Sequence, residues 1–192
     1  AGVDTAVAAM ITAKPAVAAE SKTLTTSLDT FTTGAGDDTI SGAKGTIDSD
    51  TIDGGAGTDT LAVTLNDDDD NAVFTSRNVE NIKFRATDAV TLDLGDVTGV
   101  DTITADRISA NITLDDVQEI SDLTIDRNTS NSNVDINWGG SVDAGTTDSI
   151  TINVINSSNA GTINVDNIET VNLVSTDSPN DDANELTIAA AG

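Results

Sequence analysis

The chain has 192 residues, of which 33 are acidic and 8 are basic, so its formal net charge at pH 7 is −25. Such a charge repels nucleic acids and anionic membrane surfaces, which argues against both as direct partners. The sequence contains no Cys, His or Tyr. It therefore excludes nucleophilic triads built on Cys or His and the usual transition-metal sites. No segment approaches the ~20 apolar residues of a membrane-spanning helix, so we expect no membrane insertion.

The N-terminal segment, residues 4–20, is the part of the chain that the sequence predicts to be helical. Asp4 can cap an alanine-rich run, and Ala has the highest intrinsic helix propensity. Pro15 either ends this helix or starts a second one, because proline is tolerated only in the first turn of a helix. We therefore expect residues 1–22 to form a short α-helical cap, or a linker from an upstream domain.

A glycine-rich repeat dominates residues 29–61. The nonapeptide Gly54–Ala62 has the pattern G-G-x-G-x-D-x-U-x, where U is a large apolar residue, and Thr33–Ser41 departs from it only at the first position. Triplets of the form Asp-Thr-apolar recur at intervals of nine, twelve and nine residues, beginning at Asp29, Asp38, Asp50 and Asp59. Each nonapeptide predicts a glycine-rich turn followed by a short strand. Two of them would make one coil of a parallel β-roll over residues 23–66.

Loops one coil apart stack on the same edge of such a roll, so loop 34–38 should face loop 54–59. Calcium prefers six to eight oxygen ligands, including carboxylates and backbone carbonyls, and glycines let carbonyls approach a cation closely. We predict one Ca²⁺ between the two loops. Its ligands would be the carboxylates of Asp38 and Asp59 and the carbonyl oxygens of Gly34, Gly36, Gly55 and Gly57.

The intervening loop contains Asp48 and Asp50, which would lie on the other edge and hold a second, weaker ion. An EF-hand is excluded at this loop because Ile52 stands where an oxygen ligand is required. The alternative for the whole repeat is a set of glycine-rich turns whose Asp side chains cap the backbone and face solvent, without any ion.

The pattern lengthens beyond the glycine-rich repeat. Asp67–Asp70 is a run of four carboxylates, either an exposed loop that resists strand pairing or a place where Ca²⁺ collects.

Further along, a rung of apolar residues recurs after twenty residues, first over Leu92–Ile103 and then over Ile112–Leu123. A fixed period near twenty, many β-branched residues and no helical stretch predict a parallel β-helix over residues 67–192.

Two features of this second part are expected to be structural. Asp106-Arg107 and Asp126-Arg127 lie at the same phase of successive rungs, so we expect them to stack into a charge ladder on the surface. Trp138 is the only tryptophan, and we expect it to plug the core or anchor a loop. As an exposed residue it would instead mark a contact surface.

The nonapeptides resemble those of the repeats-in-toxin group of secreted calcium-binding proteins. Leu24–Phe31 (L-T-T-x-x-D-T-F) and the rungs Val79-Glu80-Asn81 and Ile168-Glu169-Thr170 are similar to surface-layer and adhesin-like members found in Gram-negative bacteria. The resemblance implies an extracellular position on the bacterial cell surface, calcium as the stabilising ion, and self-assembly into a homo-oligomer or two-dimensional lattice. Cell-surface polysaccharide is a further implied partner. The chain begins and ends within its patterns, so we expect a fragment of a larger protein.

These features favour a calcium-stabilised structural protein that is a building block of a bacterial surface layer. The first alternative is a calcium-dependent adhesin or carbohydrate-binding module, although one Trp and three Phe offer few aromatic platforms. The second alternative is a β-helix enzyme that acts on glycans through paired carboxylates. Because the acidic residues follow turns and repeat phases rather than forming a cluster, we expect no catalysis.

Overall fold

The computed structural model of the chain describes residues 17–178 and 182–189. These residues form seventeen β-strands and one short 3-10 helix (Asp67–Asp69), with no α-helix among them. The strands are β1 (Ser21–Thr23), β2 (Thr30–Thr32), β3 (Thr39–Gly42), β4 (Thr51–Asp53), β5 (Thr60–Leu65), β6 (Ala72–Val73), β7 (Thr75–Arg77), β8 (Asn81–Ala86), β9 (Val90–Asp93), β10 (Thr102–Asp106), β11 (Ile112–Val117), β12 (Asp122–Asp126), β13 (Val134–Trp138), β14 (Ser149–Ile155), β15 (Thr162–Val165), β16 (Thr170–Thr176) and β17 (Thr187–Ala189).

The strands form three sheets, and every pairing among the described strands is parallel. One eight-stranded sheet, in the order β1-β3-β5-β8-β10-β12-β14-β16, runs the length of the fold. The three-stranded sheet β2-β4-β7 completes the first coils, and the six-stranded sheet β6-β9-β11-β13-β15-β17 completes the later ones. The chain is thus a β-solenoid of about 8 turns. The prediction of a mostly β, parallel solenoid is confirmed.

The register of the eight-stranded sheet explains the period of the sequence. Thr39 pairs with Thr60, Thr60 with Asn81, and Asn81 with Thr102, so each of these coils is 21 residues long. A residue therefore lies beside the residue that occupies the same place in the next coil. A side chain that suits one coil is repeated by its neighbours, which is why the repeat is visible in the sequence.

The core is one continuous hydrophobic column inside the coils. Along β5, the side chains of Leu61, Val63 and Leu65 are buried and alternate with partly exposed ones. They stack in register on Ile82, Phe84 and Ala86 of β8. Burying one such large side chain contributes about 1.5–3 kcal/mol, and no coil could gain this alone because each is only one strand thick.

The start of the chain differs from its prediction. The helix predicted over residues 4–20 falls mostly on residues 1–16, which lie outside the described residues. Its last part, residues 17–20, is not helical, so the prediction is wrong there. The reason is that Glu20 belongs to the first coil: its carbonyl accepts a 3.0 Å hydrogen bond from the Thr39 N–H. In the described part of the chain, no helix has the length and apolar character needed to cross a membrane.

Trp138 is a loop anchor, as predicted. Its ring is partly buried against the core at the end of β13, and its indole N–H donates a 3.1 Å hydrogen bond to the carbonyl of Asp166 in the next coil. The contact ties two coils together.

Candidate cation site on the edge of the first coils

Asp38 and Asp59 occupy the same place in successive coils, directly before β3 and β5. Their neighbours Thr39 and Thr60 are paired in the sheet, which sets the two carboxylates one coil apart. Both side chains are buried, with 1% of Asp38 and 0% of Asp59 exposed. Carboxylates are rarely buried to this degree without partners, so their contacts decide what this edge can do.

The glycine-rich loops that precede these residues stack closely, as the nonapeptide pattern predicts. Gly55 and Gly57 have positive φ angles, and a Cβ on either would collide with the carbonyl oxygen of Gly34 or of Gly36 in the coil before. The N–H of Ala56 also donates a 3.0 Å hydrogen bond to the Gly34 carbonyl. The structure thus brings together loops 34–38 and 54–59 with carbonyl oxygens at their interface.

The buried Asp38 and Asp59 and the half-buried Glu80 form a column in which each carboxylate accepts a backbone N–H from the coil before. Asp38 accepts from the N–H of Glu20 at 2.5 Å and from its own loop at Gly34 at 3.0 Å. Asp59 Oδ1 accepts from the Asp38 N–H at 2.7 Å, and Glu80 Oε2 accepts from the Asp59 N–H at 2.7 Å. The nonapeptide Asp residues therefore connect coils directly, whether or not an ion is bound.

Asp38 and Asp59 differ in how many of their carboxylate oxygens accept a hydrogen bond. Asp59 Oδ2 is buried beside Gly54 and has no hydrogen-bond partner. Burial raises the pKa of Asp59, and the nearby carboxylates of Asp38 and Glu80 add to the rise. The hydrogen bond from the Glu20 N–H, in contrast, lowers the pKa of Asp38. Asp59 is thus the buried carboxylate of this edge whose negative charge is not fully compensated.

The other edge holds a second buried carboxylate but no pair. Asp50 is 1% exposed; its Oδ1 accepts from the Asp29 N–H at 2.8 Å, and its Oδ2 has no partner. Burial raises the pKa of Asp50 to about 6. Asp48 is exposed and accepts instead from the Val73 N–H at 3.2 Å. Asp48 and Asp50 therefore bind different backbone groups, although the charge of Asp48 adds to the rise in the pKa of Asp50.

The donor chemistry of the first edge fits a hard cation at Asp59. An unpaired buried carboxylate oxygen lies beside a loop interface lined by carbonyl oxygens, and these are the ligand types that Ca²⁺ prefers. Asp38 fits less directly because both of its oxygens already accept N–H groups. No group of three or more carboxylates in residues 17–178 and 182–189 is arranged to hold a metal. The calcium site therefore stays a prediction.

Glutamates extend the same column beyond the nonapeptides, and they were not predicted as site residues. Glu80 and Glu169 directly precede paired strand residues, as Asp38 and Asp59 do, and Glu169 accepts the Asp148 N–H at 2.8 Å. Their signal in the sequence is the Val-Glu-Asn and Ile-Glu-Thr motifs. The acid in these motifs stands where the Asp of the nonapeptide stands, one residue before the strand.

The run Asp67–Asp70 contains both exposed and buried carboxylates. Asp67, Asp68 and Asp70 are exposed, whereas Asp69 is 1% exposed and accepts from the N–H groups of Gly45 and Asn66, both at 2.9 Å. Asp70, although exposed, also accepts from the Thr91 N–H at 2.8 Å, so Asp69 and Asp70 each bind the backbone of a neighbouring coil.

The charge ladder predicted for the Asp-Arg pairs is present, but its centre is buried. Asp106 and Asp126 are paired in the sheet, and Arg127 contacts both, at 3.0 Å and 2.6 Å. Asp106 is only 3% exposed and also binds Arg107 and Lys83, at 3.0 Å and 3.2 Å. Burial opposes the charge of Asp106, yet its bonds to Arg107 and Lys83 lower its pKa overall.

Comparison of the chain with protein-family models, with curated proteins and with solved structures gave no match. The function therefore has to be argued from the fold and from the chemistry of these edges.

Proposed function

We propose that the protein is a calcium-stabilised structural protein of the bacterial cell surface, and a building block of a surface layer. The observation that carries the calcium part is Asp59, a fully buried carboxylate with one unpaired oxygen at the stacked glycine loops. The surface-layer part rests on the sequence resemblance, and the continuous solenoid and its acidity support it. Its location would be extracellular, and its partners would be further copies of the chain.

The residues of the first edge would supply two kinds of calcium ligand. Asp59 and Asp38 would supply charged oxygens, and Gly34, Gly36, Gly55 and Gly57 would supply carbonyls. The bound ion would compensate the buried negative charge. The column of carboxylates would still hold the backbone N–H groups of neighbouring coils, so that ion binding and coil stacking stabilise the same interface.

Calcium would then act as a folding switch. A net charge of −25 opposes compaction, and millimolar Ca²⁺ fills extracellular sites with dissociation constants of about 10⁻⁴–10⁻³ M. A ligand that binds only the folded state stabilises it by mass action. The structure would therefore be favoured outside the cell, where calcium is abundant, and disfavoured where it is scarce.

The carboxylates with raised pKa do not support the enzyme alternative. Asp50 and Asp59 are 1% and 0% exposed, and each faces the backbone of a neighbouring coil. A general acid must lie within hydrogen-bond reach of its substrate, and the burial of these two side chains prevents such contact.

The proposal is tested by titrating the chain with Ca²⁺ while following circular dichroism and light scattering. Folding should strengthen at millimolar Ca²⁺, and the double variant Asp38→Ala, Asp59→Ala should lose most of this dependence. Light scattering on the same samples reports assembly. Equal stability in chelator and in millimolar Ca²⁺ would contradict the calcium part, and folding without any assembly would contradict the building-block part.

A further inference from the structure

Basic residues are scarce in this chain, yet four of the eight lie together. They are Lys83, Arg85, Arg107 and Arg127, here called the basic strip. Lys83 and Arg85 are on the outer face of β8, because the residues that alternate with them are buried. Arg107 and Arg127 directly follow β10 and β12, in matching positions of successive coils.

The basic strip holds more positive charge than its own carboxylates compensate. Asp106 binds Lys83, Arg107 and Arg127, and Asp126 binds Arg127. Three cations thus share two carboxylates, and the fourth member of the strip, Arg85, binds neither. The side chains of Lys83, Arg107 and Arg127 remain 38%, 45% and 44% exposed, so that solvent and ligands can reach them.

Arg85 is the member of the strip without an anion. It is exposed, and no carboxylate among the described residues lies within 4.0 Å of its guanidinium. In a chain with 33 acidic residues such an arginine is unusual. It lines a depression of about 190 Å³ together with Lys83, Ala62 and Thr64, and with Asp106, whose carboxylate pairs with Lys83 at 3.2 Å and leaves the Arg85 guanidinium unpaired. Ala62 and Thr64 pair with Lys83 and Arg85 in the sheet, and the small Ala62 side chain leaves the space open.

We propose that this depression binds a single oxyanion group, a carboxylate or a phosphate, through Arg85 and Lys83. Arginine presents a planar fork of donors that matches two oxygens of such a group, and lysine adds a point charge. Thr64 offers a hydroxyl beside them.

Size and charge limit the ligand to a small one. Pockets for drug-sized ligands measure about 300–1,000 Å³, so about 190 Å³ suits one charged group or one sugar residue. The net charge of −25 repels an extended polyanion and allows a ligand with one or two charges. An acidic sugar and a phosphate ester both carry the required group.

The proposal is independent of calcium. The ion pairs of the strip are to Asp106 and Asp126, and none of them is to a residue of the glycine loops. Failure of one proposal therefore leaves the other intact.

The test is an NMR titration of the whole chain with inorganic phosphate and, separately, with glucuronate, at constant ionic strength set with chloride. We expect saturable shifts at Arg85, Lys83 and Thr64 with a millimolar dissociation constant for at least one of the two ligands. Whichever ligand binds more tightly identifies the preferred oxyanion. The absence of saturable shifts with both would overturn the proposal.

Two variants and a matched control localise the site. Arg85→Gln should raise the dissociation constant at least tenfold. Lys44→Gln removes one exposed positive charge elsewhere and should change it less than twofold. Ala62→Leu fills the depression without changing the charge and should weaken binding at least fivefold. Circular dichroism checks that each variant is folded. Equal losses in Arg85→Gln and Lys44→Gln, or unchanged binding in folded Ala62→Leu, would show only a diffuse attraction and would refute the site.

Discussion

Asp59 accepts a 2.7 Å hydrogen bond from the backbone N–H of Asp38 through Oδ1, while its Oδ2 is buried with no partner. One carboxylate thus both connects two coils and carries an uncompensated charge. A buried charge that lacks partners costs stability unless a proton or a cation compensates it. Whatever binds at Asp59 is therefore coupled to the stacking of the first coils, and this coupling can be measured.

Asp59→Asn should separate the two roles. The asparagine keeps an oxygen for the Asp38 N–H but removes the charge, so its melting temperature in chelator should equal or exceed that of the wild type. In the wild type, Ca²⁺ at tenfold its dissociation constant should stabilise the fold by about 1.4 kcal/mol, or about 3–6 °C. In Asp59→Asn this rise should fall below half. Asp96→Asn, an exposed residue, serves as the control and should keep the full rise. An undiminished rise in Asp59→Asn would contradict the calcium assignment.

Asp50 predicts a pH dependence of stability in chelator. Its pKa is raised from 3.8 to about 6 in the folded chain. The folded state therefore binds a proton more readily than the unfolded state, and the free energy of unfolding should increase as the pH falls from 7 through 6 towards 4. We expect a gain at Asp50 of about 1 kcal/mol between pH 7.5 and pH 5. Urea unfolding of the wild type and of Asp50→Asn at both pH values isolates this residue, since the variant should lack its share of the gain. Equal pH dependence in the two proteins would show that Asp50 does not titrate in this way.

Gly55→Ala should test the close stacking of the glycine loops. Gly55 has a φ of 86°, and its Cβ would collide with the Gly34 carbonyl. Gly140 also has a positive φ, 58°, but a Cβ there meets nothing within 4 Å. Gly140→Ala should therefore cost only the backbone strain of about 1–2 kcal/mol, and Gly55→Ala clearly more. Denaturant unfolding measures both, and similar losses would show that the loops do not stack as described.

Asp106→Asn should destabilise the sheet more than Asp126→Asn. Asp106 is 3% exposed and binds three cations, whereas Asp126 binds Arg127 alone and its side chain is 18% exposed. Because the cations are partly solvated, we expect a loss of about 1–2 kcal/mol for Asp106→Asn and less than about 1 kcal/mol for Asp126→Asn. Urea unfolding at pH 7 checks the order of the two variants, and the reverse order would contradict the buried position of Asp106.

The sequence predicts the coil architecture well because the repeat acts locally. The early coils are as long as the repeat, so the period near twenty leads directly to parallel stacking, and the glycines lie where carbonyls of a neighbouring coil approach. The coil between β12 and β14 is longer, because Leu123 pairs with Ile152, 29 residues away. The helix predicted for residues 17–20 fails for a tertiary reason. Alanine propensity favours a helix there, but the backbone of Glu20 pairs with Asp38 and Thr39 in the next coil.

The sequence by itself determined the fold class, the length of the early coils and the loops that stack, since a periodic pattern specifies which residues become neighbours. Only the tertiary structure decided how each charge is compensated. Asp38 and Asp59 look alike in the nonapeptides, yet one oxygen of Asp59 is unpaired and both oxygens of Asp38 are bound. Likewise, the ladder of Asp-Arg pairs was predicted, but its buried centre at Asp106 and the unpaired Arg85 were not. The physical reason is that compensation depends on groups a whole coil away, and their exact approach is set by strand register and side-chain packing.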